Sequence, residues 1–215
     1  ADGEPTGVLQ EPEAQRLAGE AYKKLRPDAL PEEAIRNYTN VAKNVGITTL
    51  GEVGGPSLSN SDIVNRWKRI INSDECPVRV SFAYSPELGD DGRDNHEEIA
   101  QWLTELSAES SNKLRFGIAK FFTDGSIQGK TGRLKWPGYY DESSNGIWIT
   151  PPENLKEKLA PYHKAGITIF CHCNGDEASE VFIDTIEELQ NETYQSDHRH
   201  SIQHCQMATR SQYRR

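Results

Sequence analysis

The chain has 215 residues, with 24 basic and 33 acidic side chains and a net charge of −9. No dense Lys/Arg run offers a surface to nucleic acid or anionic membrane, and neither is expected as a partner. No apolar run approaches the roughly 18 residues of a membrane span, and the low hydrophobic share of 35% predicts a modest core under a solvated exterior.

Cysteine is sparse. Cys76, Cys171, Cys173 and Cys205 are too few for a disulfide framework and are expected to be reduced packing residues, with a disulfide or a metal role left open. No signal peptide opens the chain, and a cytoplasmic location is favoured. Met207 is the sole methionine, so Ala1 is expected to lie downstream of the original start.

Gly3, Pro5 and Gly7 predict a turn-rich opening, and the charged residues 11–26 an exposed helix. Pro31 marks the start of a second helix, with Glu32 and Glu33 at the positive end of its dipole. Ala34, Ile35, Tyr38, Val41, Ala42 and Val45 give that helix an apolar spacing, and Gly46 ends it. A strand and a glycine-rich turn follow in GITTLGEVGG. The same unit then recurs. Helices are predicted around 63–71, 97–106, 152–164 and 177–189, and strands at 78–84, 114–123, 167–173 and 200–205. Five strands alternating with helices predict an α/β fold, a partial (β/α)8 TIM-type barrel with about five of eight strands. One connection is long: residues 124–150 leave the C-terminal end of a strand, the active face of such barrels, and a loop of that length is functional or mobile.

His172 ends the strand ITIFCHC and His204 ends HSIQHC. Two imidazoles at the ends of consecutive strands can converge on one borderline-soft ion such as Zn²⁺; the plainer reading is a pair of unrelated polar residues. Alternation places His172 opposite Cys171 and Cys173, which argues against a mixed thiolate–imidazole site. His96, His163 and His198 read as surface or helix-end residues. Lys120 lies in the apolar strand FGIAKFFT, where an unpaired ammonium is costly. It admits two readings: a reactive lysine of lowered pKa, or a chain that reaches out to the strand's end. Asp124 and Ser126 follow in a turn whose ordinary chemistry they suit.

The runs KFFTDGSIQGKTG (120–132), HCNGDEA (172–178) and DHRHSIQHCQ (197–206) resemble the amidohydrolase superfamily, in its YtcJ-like branch that includes N-substituted formamide deformylases. GEPTGVL and GITTLGEVG match in order and spacing, so the resemblance covers nearly the whole chain. It implies a metal-dependent hydrolase of amide-type C–N bonds in small-molecule substrates, with a divalent metal, zinc first, activating water. His172 and His204 match the fifth- and sixth-strand metal ligands. Lys120 matches the fourth-strand lysine, which in related enzymes is carboxylated and bridges two metals. Asp124 matches the turn beside that lysine and is a catalytic candidate without an assigned step.

The family's first-strand His-x-His pair and eighth-strand aspartate have no counterpart here. Residues 1–215 are therefore expected to form a single incomplete barrel domain, lacking the first, seventh and eighth strands. As such it is expected to be inactive alone, to hold metal weakly or not at all, to leave Lys120 uncarboxylated, and to self-associate through open edges. The alternative is a barrel-derived binding or structural module without catalysis.

Overall fold

A parallel sheet of five strands in the order β1–β2–β3–β4–β5, each strand beside its neighbours in sequence, organises the chain as a curled half-barrel. In the computed structural model the described residues are 6–25, 32–54, 58, 60–87, 95–141 and 145–215. Gly3, Pro5, Pro31 and Gly55, read above as turn, helix-start and turn residues, lie outside them.

The opening helix is interrupted: α1 (Glu11–Gln15), a 3-10 turn at Arg16–Ala18, then α2 (Gly19–Leu25). The helices and strands that follow are α3 (Glu32–Asn44), β1 (Thr49–Glu52), α4 (Ser61–Ile71), β2 (Arg79–Tyr84), α5 (His96–Ser107), β3 (Leu114–Phe122), α6 (Pro152–Lys164), β4 (Thr168–Cys173), α7 (Asp176–Glu192) and β5 (Ser201–His204). Local chemistry sets the helix starts. The Asn60 side chain accepts from the backbone N–H of Asp62 and Ile63, Asn95 does the same for Glu97, and Pro152 occupies the first turn of α6.

The core fills the space between the sheet and its helices. Trp67 of α4 meets Phe82 of β2 edge-on at 4.9 Å, Phe82 stacks on Phe116 of β3, and Phe121 meets Tyr162 of α6 at 5.1 Å. Leu103, Leu155 and Leu159 are fully buried among them, each worth about 2–3 kcal/mol over an exposed leucine. On α3 the buried stripe is Ile35, Thr39 and Ala42, while Tyr38, Val41 and Val45 face outward. The apolar spacing of α3 thus overstates its buried face.

A bulge in β3 decides which way its later residues point. Pairing with β2 runs Val80 to Leu114 and Ser81 to Arg115, then resumes one residue out of step at Ala83 to Ile118. Gly117 sits in the extra position at φ +94°, with Ser107 Oγ where its Cβ would be. Phe116 before the bulge and Phe121 after it both pack toward the helices, although unbroken alternation would send them to opposite faces. Lys120 consequently turns to the other face, beside Phe122.

The long connection is strapped to the strand ends. Asp124 bridges to Trp148, Ile147 N–H donates to the Thr131 carbonyl and Ile149 N–H to that of Thr123. Arg133 pairs with Glu177 at 2.8 Å and lies 5.0 Å over the Trp148 ring.

Candidate metal centre

His172 and His204 stand at the C-terminal ends of adjacent parallel strands, their ring centroids 4.5 Å apart and nearly perpendicular. They reach that contact by different routes. His172 points off the sheet face opposite to Cys171 and Cys173, which are fully buried. The register pairs His204 with Cys173, so a regular strand would send His204 to the helix side. Instead His204 adopts φ +77° and Cys205 φ +50°, and the ring swings back to His172. Non-glycine residues in this left-handed region carry local strain of about 1–3 kcal/mol, and such residues cluster at functional sites.

Lys120 joins the two imidazoles from β3, where its register with Phe170, and that of Phe122 with His172, puts all on one face. Its Nζ is buried, lies 4.8 Å from the Phe122 ring centroid and makes no hydrogen bond among the described residues. Burial lowers its pKa to about 8. The His172 pKa is also lowered, by burial first and by the Lys120 charge; for His204 burial leads, followed by His172 and then Lys120.

Asp124 is fully buried and takes three backbone donors: Arg133 N–H at 2.9 Å and Gly175 N–H at 2.8 Å on Oδ2, and Asn174 N–H at 2.9 Å on Oδ1. Burial raises its pKa and the three N–H groups pull against that rise. The carboxylate ties the end of β4 and the start of α7 to the loop after β3. Its Oδ1 also lies 3.8 Å from His172 Nε2.

That scaffold also holds the His172 ring. His172 Nε2 lies 2.9 Å from the Gly125 carbonyl, and Asn174 Nδ2 lies 2.8 Å from the same oxygen. The carbonyl has two lone pairs and accepts from both. His172 Nε2 also lies 3.0 Å from Asn174 Nδ2. With the proton on Nε2 the ring donates to the carbonyl and leaves the Nδ1 lone pair free, the arrangement by which outer hydrogen bonds orient metal-ligating histidines.

The remaining histidines sit elsewhere. Ile169 N–H donates to His200 Nδ1 at 3.0 Å, so His200 Nε2–H donates to His163 Nδ1 at 2.8 Å, and His163 Nε2–H donates to the Thr193 carbonyl at 2.7 Å. His163 lies at the end of α6, the helix-end half of its reading, but is wholly buried and not on the surface: this chain of partners satisfies both its nitrogens. His96 Nδ1 contacts the Tyr162 hydroxyl. All four cysteines are free, and burial pushes the Cys171 thiol up, away from thiolate chemistry.

Sequence reasoning missed Glu87, whose carboxylate accepts from Thr150 Oγ1 and Lys158 Nζ at 2.7 Å and from Phe122 N–H at 3.3 Å. It also missed Glu11, Asn174 and Arg133. Glu11 and Arg133 are ordinary polar residues in sequence that only tertiary contact brings to the site, while Asn174 lies two residues past His172 in the HCNGDEA run and was left without a role. Among the described residues no three His, Cys, Asp or Glu side chains form a group able to hold a metal ion. No helix among them is long and apolar enough to cross a membrane.

The chain matches the Amidohydrolase family over residues 1–215. It is 32% identical over 196 residues to YtcJ of Bacillus subtilis (strain 168), whose name carries the amidohydrolase label; the match covers 87% of this chain and 33% of YtcJ. Two solved structures share the fold, both uncharacterized metal-dependent hydrolases. The one from Pyrococcus horikoshii has a TM-score of 0.59 at 19% identity, covering 86% of this chain and 37% of its own. The one from Pyrococcus furiosus has a TM-score of 0.56 at 18% identity, covering 87% and 39%. The chain thus spans about a third of the length of its curated relative. With the half-barrel, the paired imidazoles and a family match along its whole length, this chain belongs to the amidohydrolase family.

Proposed function

We propose that the chain contributes part of the active site of a metal-dependent hydrolase acting on amide-type, non-peptide C–N bonds of small molecules. The observation that carries the reading is the meeting of His172 and His204 beside a buried Lys120 ammonium that has no hydrogen-bond partner among the described residues. The two imidazoles are donors that suit zinc and make up part of a ligand set, with His172 Nε2 at the Gly125 carbonyl and Nδ1 left to face an ion. Bound there, such an ion supplies a water of lowered pKa and polarises a carbonyl oxygen. In this reading His172 and His204 hold it, Asp124 keeps the strand ends in place, and Lys120 adds a third donor if carboxylated.

Two imidazoles fall short of the three protein ligands that catalytic zinc sites generally use. We therefore expect the chain on its own to be inactive and Lys120 to be unmodified in it. A buried carbamate anion needs compensating positive charge, and no basic side chain bonds Lys120 Nζ among the described residues. The test is metal analysis of the protein expressed from its full reading frame, together with hydrolysis assays on amides, N-substituted formamides, esters and cyclic imides. Stoichiometric metal that is lost in His172→Ala, with turnover of a C–N substrate, supports the reading. Turnover unchanged by His172→Ala overturns it.

A further inference from the structure

The N-terminal segment reaches the metal centre across 120 residues. Thr131 Oγ1 donates to Glu11 Oε1, and a Cβ at Gly125 would collide with both that carboxylate oxygen and Thr131 Oγ1. Glu11 holds a left-handed backbone at φ +63°, a conformation that costs a glutamate free energy and persists where surrounding contacts fix it. Thr131 in turn organises the turn after β3. Its Oγ1 accepts from Ser126 N–H at 2.8 Å, and its carbonyl accepts from Gly125 N–H at 3.2 Å. The Gly125 carbonyl is the acceptor for His172 Nε2–H.

We propose that Glu11 is a positioning residue of the metal centre: by bonding Thr131 over the Cα of Gly125, it fixes the carbonyl that orients the His172 ring. The path is continuous and made of hydrogen bonds and close packing: Glu11 to Thr131, Thr131 to the 125–126 turn, Gly125 to His172. Within the turn the Ser126 carbonyl lies 3.3 Å from Thr131 Oγ1 and is the weaker, longer alternative to the Glu11 carboxylate, while the Ser126 hydroxyl is engaged by Gly129 N–H. The Glu11 carboxylate bonds Thr131, and its charge also acts weakly on His172, so the acceptor and the charge have to be separated by experiment. The proposed role calls for an oxygen acceptor at this point rather than for a charge.

The inference rests on the metal reading above, and one experiment separates the two. Wild type, Glu11→Ala, Glu11→Gln and Thr131→Val are expressed from the full reading frame, and Co²⁺ binding is followed by competition with a chelator and by the visible absorption of the bound ion. A circular dichroism melt of each variant controls for folding. Losing an outer-shell contact should weaken Co²⁺ binding about 10–100-fold in Glu11→Ala and Thr131→Val and shift the spectrum, while Glu11→Gln keeps the acceptor and stays within about threefold of wild type. Wild-type affinity and spectrum in folded Glu11→Ala or Thr131→Val would overturn the proposal. Glu11→Gln as weak as Glu11→Ala would also overturn it, in favour of a role for the charge. If wild type takes up no Co²⁺, the metal reading falls and this one with it.

Discussion

His200 Nε2 lies 2.8 Å from His163 Nδ1, and the partners on either side leave only one proton arrangement that satisfies both rings, with each neutral. Protonating His200 would place an N–H against the Ile169 N–H. Burial, with the nearby His198 and His163, pushes the His200 pKa down to about 3, from the ordinary 6.5. A folded pKa below the unfolded one means that the unfolded chain binds the proton first. Stability is therefore complete above about pH 6.5 and drains away as pH falls toward 3. We expect a loss on the order of 2–4 kcal/mol over that range from this group. Urea titrations from pH 7.5 to 4 measure it, and the wild-type slope minus that of His200→Phe isolates the imidazole from His96, His172 and His204, whose lowered values act in the same direction.

Removing the Asp124 carboxylate strands three backbone donors in the interior. Asp124→Ala should cost about 3–4 kcal/mol. Asp124→Asn should cost about 2, because its single oxygen can serve the Arg133 and Gly175 donors while its amide confronts Asn174 N–H. Chemical denaturation gives both values. Equal costs for the two variants would show that charge, not the count of acceptors, matters at this position.

Gly117→Ala meets two obstacles, a left-handed φ and the Ser107 side chain in the space of the new methyl. Relief comes by abolishing the bulge, which reverses every side chain of β3 beyond it. We expect at least about 2–3 kcal/mol of destabilisation. Where the variant folds, Lys120 should lose contact with His172, which the loss of the Lys120 contribution to the His172 titration would report in NMR.

Lys120→Met should stabilise the metal-free protein at pH 7 by about 1–3 kcal/mol, since it removes a buried ammonium with no hydrogen-bond partner among the described residues and keeps the volume. The same substitution should lower metal uptake. A variant both less stable and fully metal-loaded would contradict the role given to Lys120.

The sheet among the described residues ends in β1 and β5, and α3 leaves Tyr38, Val41 and Val45 exposed. Unpaired strand edges seek partners. Sedimentation of the chain alone should therefore show concentration-dependent association, and a monomer at high concentration would rule it out.

Much of this was legible from sequence because periodicity reports burial directly. The five strands, their helices and the placing of His172 and His204 at strand ends follow from runs of apolar residues and the glycines between them. What escaped was local geometry that periodicity averages away. Alternation could not show that Lys120 turns inward, since that depends on one inserted residue at Gly117. Nor could it show that His204 leaves the helix-side face its register assigns. The burial of His163 depends on Thr193 and His200, more than 29 residues away, and Glu11 meets Thr131 across 120.

The backbone at His204 has a consequence for regulation of the pair. Its ring meets His172 only while residues 204 and 205 keep their left-handed turn. An extended backbone there would carry the imidazole toward Cys173 and disturb the bond from Cys205 N–H to the Cys173 carbonyl, and the donor pair would come apart. An ion shared by the two rings would bind the strained form alone and so select it. Occupation of the pair would therefore hold the end of β5 in its left-handed turn.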